Sequence, residues 1–349
     1  MKSTLTPGKI RFPEPSTSPR PVEQDAAASC AAECIEPIPP ELAPLAHTAQ
    51  ELLEYQLAAS TQIVYGRDWR LFCAWCATHG LDALHASASV LALYVTDLAE
   101  RGRKLSTIRR RVAAIRAAHT KAGLASPADS PLVRDILRGI SRRDGMAPKG
   151  VQALLTSDIR RIVEAIPDDA VIGIRNRAIV LLGYAGAFRR SELVGLDVAD
   201  LQDDAEGLII HLRRSKTDQH GRGRLVGIPS GAHPLTCPVT ALQRWREVSG
   251  ITDGPLFRGV SRYGVIASSR LSDRAIALIV KQTTAAAGLD AAHYSGHSLR
   301  AGHCTQAARE GIAEAVIMQQ TGHRTRGTLQ RYIRIGTIFT GNSATALGL

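Results

Sequence analysis

The chain has 349 residues, 44% of them apolar and 21% charged, a mixture typical of globular domains. Lys and Arg outnumber Asp and Glu by 43 to 32, which gives a net charge of +11. Such a charge is typical of proteins that bind a polyanion such as nucleic acid, but a surface charge that only promotes solubility explains it about equally well. No stretch reaches the ~20 apolar residues that cross a bilayer, and the first residues lack the apolar core of a signal peptide. Six cysteines in a chain of this length are not typical of a disulfide framework. We therefore expect a cytosolic protein, or one associated with a bacterial nucleoid.

Changes in composition along the chain predict two folded domains. Residues 1–46 are rich in Pro, Ser, Thr, Ala and Glu without apolar periodicity, which predicts a mobile tail. Residues 47–143 show helical periodicity throughout. Residues 144–152 contain Gly, Pro and charged residues and are typical of a linker. Residues 153–349 form a second domain that is again mostly helical.

The first predicted domain is a small helical bundle. Five segments have helical spacing: HTAQELLEYQLAA, TQIVYGRDWRLFCAWCATHG, SVLALYVTDLAERG, LSTIRRRVAAIRAAHTKAG and PLVRDILRGISRR. In the fourth segment Ser106 or Thr107 is the expected N-cap, and Ile108, Val112 and Ile115 are expected to face inward.

Two cysteines of the second segment, Cys73 and Cys76, form a CxxC pair. A zinc site needs four ligands, and only His79 stands near. We therefore interpret both as buried helix cysteines.

The fourth segment also has a basic outer face, formed by Arg109, Arg110, Arg116 and Lys121. A solvated charged face is the ordinary explanation for one such helix. Two consecutive basic helices favour a DNA-binding module, and we predict these four side chains as DNA contacts.

The second predicted domain is helical apart from one β-hairpin. The segment GLIIHLRRSKTDQHGRGRLVGIP contains two β-rich runs around a Gly-rich polar turn. Helices are predicted at SDIRRIVEAI, RNRAIVLLGYAG, CPVTALQRWREVSG, LSDRAIALIVKQTTAAAG, GHSLRAGHCTQAAREG and RGTLQRYIR. The predicted fold class is therefore mainly α with a small β-hairpin or sheet.

Four short segments of this domain carry side chains suited to chemistry. They are GYAGAFRRSELVGL with Arg189, the hairpin turn RRSKTDQHGRG with Lys216, GHSLRAG with His297 and Arg300, and TGHRTRGTLQRYIR with His323 and Tyr332. Each residue alone has an ordinary structural explanation, such as a solvated helix cap, surface charge or core packing. Their joint occurrence in this order favours an active site.

In order and spacing these segments resemble the tyrosine recombinase (phage integrase) family, and the resemblance covers about residues 48–345. It implies a SAM-like helical core-binding domain followed by a catalytic domain with the DNA breaking–rejoining fold. It also implies site-specific DNA recombination or integration through a covalent 3′-phosphotyrosyl intermediate. Double-stranded DNA is then the partner, and the apolar C-terminal tail links protomers into a tetramer on DNA.

The residue types at these positions suit phosphodiester chemistry on physical grounds. Arg189 and Arg300 offer planar forks of N–H donors that stay charged and can stabilise negative charge on the non-bridging oxygens. Two such groups replace the metal ions of a nuclease, and the sequence shows neither an Asp/Glu metal cluster nor a P-loop. We therefore expect no metal and no other cofactor.

The remaining side chains are assigned to the nucleophile and its helpers. Tyr332 is the expected nucleophile, and because the pKa of a free tyrosine is near 10 it needs a base. His297 is the candidate base, and His323 a hydrogen-bond partner of the phosphate. Lys216 is the candidate acid for the leaving 5′-oxygen. Glu192, one turn after the first arginine, is expected to orient a neighbouring group.

Two other functions use the same residues or the same fold. A type IB topoisomerase-like or telomere-resolving enzyme would need the same Arg, Lys and Tyr set, although the helical N-terminal module favours recombination. A DNA-binding regulator of this fold would have lost catalysis, and the presence of every reactive side chain argues against it. The target sequence cannot be deduced, because specificity depends on groove contacts and DNA deformation.

Overall fold

The computed structural model describes residues 56–144, 151–213 and 223–338 continuously, with single positions at 39–42, 44, 45, 48, 52 and 347. The chain divides into two compact units, residues 1–148 and 149–349, each with its own apolar core. The helix predicted over 47–59 lies mostly outside the described residues.

Four α-helices lie in the continuously described part of the first unit, residues 56–144: α1 (Ala59–Thr78), α2 (Ala88–Glu100), α3 (Leu105–Lys121) and α4 (Pro131–Arg143). The hydroxyls of Ser87 and Ser130 accept hydrogen bonds from the first-turn N–H groups of α2 and α4. Pro131 occupies the first position of α4, as the sequence predicts, because this position needs no N–H.

The start of α3 differs from the prediction. The inward residues are buried as expected: Ile108, Val112 and Ile115. The N-cap is neither Ser106 nor Thr107, however, but Lys104, whose carbonyl accepts from the N–H groups of Thr107 and Ile108. The helix begins earlier because Leu105, only 3% exposed, is drawn into the core.

The two cysteines of α1 are free thiols, with Cys76 buried and Cys73 half-buried. His79 packs against Trp75, with ring centroids 4.6 Å apart. The described residues thus give all three side chains roles in packing.

Eight α-helices lie in the described part of the second unit: α5 (Thr156–Ala165), α6 (Val171–Ala185), α7 (Arg190–Gly195), α8 (Pro238–Ser249), α9 (Asp273–Ala286), α10 (Gly296–Arg309), α11 (Glu314–Thr321) and α12 (Arg326–Gly336). The sequence pattern does not predict α7 and α11, which have six and eight residues and are too short to show a clear apolar period.

Two small antiparallel sheets accompany these helices. The first has the order β1 (Leu201–Asp204), β2 (Gly207–Leu212) and β3 (Arg224–Pro229), and the second pairs β4 (Arg258–Val260) with β5 (Ile266–Arg270). Strands β2 and β3 are the predicted hairpin. The other three strands are short and contain no buried residue, so they lack the apolar alternation that predicts a strand. The mainly α fold class with a small sheet is confirmed.

One close backbone approach fixes the position of α10. A Cβ at Gly302 would lie 1.8 Å from the carbonyl oxygen of Leu154, so only glycine fits there. The N–H of Leu154 donates to the carbonyl of Ser298 at 3.1 Å, and the segment before α5 therefore runs along α10. In the described ranges no helix has both the length and the apolarity needed to cross a bilayer.

Candidate active site

The predicted catalytic side chains come from four parts of the second unit. The turn before α7 carries Arg189, and the first turns of α10 carry His297 and Arg300. The connection between α11 and α12 carries His323, and α12 carries Tyr332. Lys216 lies in the β2–β3 turn, outside the described residues.

The turn between α6 and α7 has an unusual backbone. Ala187 has φ +48°, the one positive φ of a non-glycine residue in the described chain. This conformation is costly for a residue with a Cβ. Its carbonyl oxygen accepts a 2.6 Å hydrogen bond from Nη1 of Arg300. The turn therefore directs a backbone acceptor at the guanidinium of Arg300.

Arg189 is held by Glu192. The side chain of Arg189 donates from Nη1 to Oε1 of Glu192 at 2.5 Å, and its backbone N–H donates to Oε2 at 2.9 Å. Glu192 is buried, and both of its oxygens serve the same arginine. The orienting role expected for Glu192 is supported by these contacts, since charge-assisted hydrogen bonds fix a guanidinium well.

Arg300 is almost fully buried, at 1% exposure. Besides the carbonyl of Ala187, it contacts His323, with Nη2 3.2 Å from Nε2 of the ring. Burial and the nearby Arg189 lower the pKa of Arg300 to about 10, which still leaves it charged at neutral pH. A buried cation held in this way attracts an anion strongly.

The hydrogen bonds of His323 define its tautomer. Arg300 can only donate, so Nε2 of His323 accepts, and the ring proton is on Nδ1. Nδ1 donates to Oγ1 of Thr321 at 2.7 Å, and the Thr321 hydroxyl in turn donates to the carbonyl of Ile317 at 2.7 Å. Burial, with Arg300 and Arg189, lowers the pKa of His323 to about 4. At neutral pH the ring is therefore neutral and accepts from Arg300, and donating from Nε2 to a phosphate would require the other tautomer, with the proton on Nε2.

His297 and Tyr332 are in direct contact. Nε2 of His297 lies 2.7 Å from Oη of Tyr332, within the range for proton transfer. Burial and the neighbouring Arg300 lower the pKa of His297, so the ring is neutral at neutral pH and can accept a proton. Burial raises the pKa of Tyr332, which increases its need for a base.

The packing of α12 against α10 brings the two residues together. Tyr332 packs beside a small apolar cluster on α10, α11 and α12: Cys304, Ala308, Ile317 and Leu329. At the end of α12 a Cβ on Gly336 would lie 2.7 Å from the carbonyl oxygen of Thr305 and 2.8 Å from Cβ of Ala308. The absence of a side chain at Gly336 thus permits the close approach of the helices.

Sequence reasoning missed Arg224 and Gln320. Arg224 donates from Nη1 to the carbonyl of Gln320 at 2.7 Å, and its Nη2 lies 3.8 Å from Glu192. A signal for Arg224 exists in the sequence, because it shares the inward face of β3 with Val226 and Ile228. A charge on the apolar face of a strand requires an explanation. No sequence signal indicates Gln320, whose contacts are long-range.

The four predicted DNA contacts of α3 are all exposed, but they differ in their contacts. Arg110 makes two hydrogen bonds, of 2.7 and 3.2 Å, to the buried carboxylate of Asp68. Arg116 pairs with Asp129 at 2.7 Å. Arg109 and Lys121 have no ion pair among the described residues. These two are therefore better placed to contact a phosphate than Arg110.

No group of His, Cys, Asp and Glu side chains in the described residues has the arrangement of a metal site. The polar centre of the site is instead cationic, since the guanidinium groups of Arg189, Arg224 and Arg300 surround one carboxylate, that of Glu192. Such an arrangement fits a phosphate.

Comparison with known proteins agrees with this geometry. The model of the phage integrase family matches residues 152–337, and that of the phage integrase N-terminal SAM-like domain matches residues 50–122. An integrase/recombinase XerD homolog from Selenomonas ruminantium is 38% identical over 298 residues, which cover 84% of this chain and 87% of the relative. The chain therefore belongs to the phage integrase family of tyrosine recombinases.

More distant matches also span most of the chain. Recombinase Cre of Escherichia phage P1 is 29% identical over 284 residues, covering 76% of this chain and 81% of Cre. The fold matches XerH site-specific recombinase bound to difH substrate with a TM-score of 0.54 at 18% identity, over 76% of this chain and 72% of that one. It matches a lambda integrase dimer bound to a core site with a TM-score of 0.53 at 15% identity, over 83% of this chain and 76% of that one.

Proposed function

We propose that this protein is a site-specific recombinase that cleaves DNA through Tyr332 and rejoins the end to another strand. The observation that carries the proposal is the 2.7 Å contact between Tyr332 Oη and His297 Nε2, beside the buried guanidinium of Arg300. A tyrosine paired with a neutral base next to an anion-binding site is suited to attack a phosphodiester.

The proposed reaction exchanges one phosphate ester for another. Oη of Tyr332 attacks phosphorus as its proton passes to Nε2 of His297, and the bond from phosphorus to the 5′-oxygen breaks. A 3′-phosphotyrosyl ester remains on the protein. The departing 5′-oxygen takes a proton, for which we propose Lys216 as the donor. Arg189 and Arg300 hold the non-bridging oxygens, and attack by the 5′-hydroxyl of another strand reverses the steps.

Neither a metal nor a nucleotide is required by this scheme. The arginine forks supply the positive charge that the transition state needs. The phosphotyrosyl ester retains the energy of the broken ester bond, so rejoining needs no nucleotide hydrolysis. We therefore propose a cofactor-free enzyme, fully active in excess EDTA.

We further propose a tetramer on DNA, in the bacterial cytoplasm and at the sites of a mobile genetic element. One lambda integrase structure with this fold is a tetramer bound to a Holliday junction, with a TM-score of 0.53. By resemblance, the apolar tail of residues 338–349 links neighbouring protomers. Deleting the tail should spare binding to one half-site and weaken cooperativity between adjacent half-sites in a gel-shift titration, whereas unchanged cooperativity would refute the link.

Covalent capture of DNA tests the function. The full chain is incubated in EDTA with a fragment library in which nicks near potential cleavage sites let the short end diffuse away. Protein-linked fragments are then sequenced. We expect a defined sequence among the captured ends, and none with Tyr332→Phe.

The outcome of the capture and a second assay on a plasmid separate the alternatives. Two copies of a captured site on one plasmid should be recombined by a recombinase. A topoisomerase-like enzyme would relax the plasmid without exchange, a telomere-resolving enzyme would leave hairpin ends, and a DNA-binding regulator would give no adduct.

A further inference from the structure

Arg224 is an arginine of the candidate site that the reaction scheme does not use. It stands at the first position of β3 with a side chain that is only 19% exposed. Its Nη1 donates to the carbonyl of Gln320, while Nε and Nη2 are buried without a hydrogen-bond partner among the described residues. Burying a charged group with unsatisfied donors costs free energy, so its position requires an explanation.

The partner of Arg224 is itself a junction between three elements. Gln320, near the end of α11, receives the Arg224 hydrogen bond on its backbone carbonyl. Its side-chain amide donates to the carbonyl of Ala185 at 3.1 Å and to that of Gly227 at 3.0 Å. Gln320 therefore joins the end of α6, strand β3 and the segment that leads to His323.

The surroundings leave little freedom for this junction. A Cβ on Gly322 would lie 2.8 to 3.2 Å from the guanidinium and Cδ of Arg224, and Gly322 has φ +68°. On its other side Arg224 approaches Glu192, whose two oxygens bind Arg189. A single guanidinium thus contacts the segment before His323 and also lies beside the carboxylate that orients Arg189.

We propose that Arg224 is a positioning residue for strand cleavage. Together with Gln320, it fixes the position of the segment that carries His323 relative to the Glu192–Arg189 pair. His323 orients Arg300, so Arg224 acts on both catalytic arginines through their partners. The inference rests on the proposed function, because it assigns a further residue to the same reaction.

The test compares single-turnover cleavage and DNA binding. The probe is a nicked DNA fragment carrying a site recovered by covalent capture. Arg224→Met should lower the cleavage rate by roughly 10–100-fold, as is usual for residues that orient catalytic groups. The Kd for the same DNA should stay within about threefold, because a positioning residue need not touch DNA. Arg224→Lys should regain part of the rate, since it keeps the charge and one donor for the Gln320 carbonyl.

A matched control separates positioning from stability. Arg175→Met removes another buried arginine, one that donates to the carbonyl of Arg258, and should lower Tm without changing the cleavage rate of the folded protein. Gln320→Leu should slow cleavage as Arg224→Met does, and the double variant should be no slower than the slower single variant, since both act through one junction.

Each contrary result has a distinct meaning. Normal cleavage by Arg224→Met, losses in the double variant that multiply, or a Kd that rises in proportion to the loss of rate would overturn the role of Arg224 and leave the proposed function intact. If the wild-type protein forms no covalent adduct, the proposed function fails, and the inference fails with it.

Discussion

At the scale of residues, the proposed reaction depends on how the Tyr332 phenol loses its proton. Only about 0.1% of an ordinary tyrosine is ionised at pH 7. Burial raises the pKa of Tyr332 further, so the phenol must lose its proton during the attack. His297 lies at hydrogen-bonding distance, and its pKa is lowered by burial and by surrounding arginines. The two shifts together favour general-base catalysis over attack by a preformed phenolate.

The pH dependence of cleavage follows from the direction of the His297 shift. Protonated His297 cannot accept the proton, so the rate at subsaturating DNA should fall as the pH drops through the pKa of the free enzyme. Since that pKa is lowered from 6.5, the acidic limb should have its midpoint below pH 6.5. Single-turnover rates across pH 5–8 measure it. His297→Gln should lose the limb along with ~10²–10⁴-fold of the rate, and a midpoint above pH 7 would contradict the assignment.

Lys216 can be tested through the leaving group. Lys216→Ala should slow cleavage of ordinary DNA by ~10²–10⁴-fold if it is the general acid. Replacing the bridging 5′-oxygen by sulfur gives a thiolate leaving group, with a pKa of about 8.5 on the cysteine scale, that departs without a proton. On the sulfur-substituted DNA, Lys216→Ala should therefore cleave at nearly the rate of the wild-type protein, whereas Arg189→Ala should remain slow on both substrates. An equal defect of Lys216→Ala on both would leave the acid to another residue.

At the scale of secondary-structure elements, the packing of α10 against α12 sets the distance between the proposed base His297 and the proposed nucleophile Tyr332. His297 is on α10 and Tyr332 on α12, so any separation of these helices lengthens their hydrogen bond. A close approach of the two helices falls at Gly336, one turn beyond Tyr332. A small residue at a helix contact therefore has a direct consequence for the chemistry.

Two glycines on α12 provide a matched comparison. Gly336→Ala places a methyl group against Thr305 and Ala308, and should cost about 1–3 kcal/mol of stability. It should also slow cleavage by more than tenfold, because a displacement of about 1 Å can cost 10²-fold. Gly327→Ala meets nothing within 4 Å and should leave cleavage normal. Thermal unfolding and single-turnover rates measure both, and normal cleavage by Gly336→Ala would show that the helix contact is not critical.

The sequence predicts the candidate catalytic residues, most of which the structure brings together, but not the contacts that support them. Arg300, His323 and Tyr332 stand in short motifs whose order is visible along the chain. The left-handed turn at Ala187 gives no such signal, because alanine is not the residue expected at positive φ. Gln320 acts through backbone groups far away in sequence. Local pattern therefore predicts the fold class and the candidate reactive groups, while long-range hydrogen bonds determine how those groups are oriented.

Charge distribution is the relevant property at the scale of the whole molecule. The excess of 43 basic over 32 acidic residues favours DNA binding, but individual arginines are used differently. Arg110 is bound to the buried Asp68, while Arg109 stands next to it on the exposed surface without an ion pair among the described residues. Net charge thus overestimates the number of phosphate contacts.

Substitution of Arg109 should weaken DNA binding, whereas substitution of its neighbour Arg110 should lower the stability of the first unit. Arg109→Ala should weaken binding to any DNA and reduce the slope of log Kd against log salt by about 1, with little change in Tm. Arg110→Ala should instead destabilise the first unit by about 1–2 kcal/mol, since it leaves a buried carboxylate poorly paired, although Arg110 itself is partly exposed. Salt titrations and thermal unfolding of both variants decide the matter, and an unchanged slope for Arg109→Ala would remove it from the interface.

The central claim is that Tyr332 becomes esterified to the 3′ end of cleaved DNA. The most direct measurement is mass spectrometry of the trapped adduct after nuclease and protease digestion. The account predicts a nucleotide joined through its 3′-phosphate to the peptide that contains Tyr332, formed in EDTA and absent from Tyr332→Phe. A nucleotide on any other residue, or one joined through a 5′-phosphate, would contradict it.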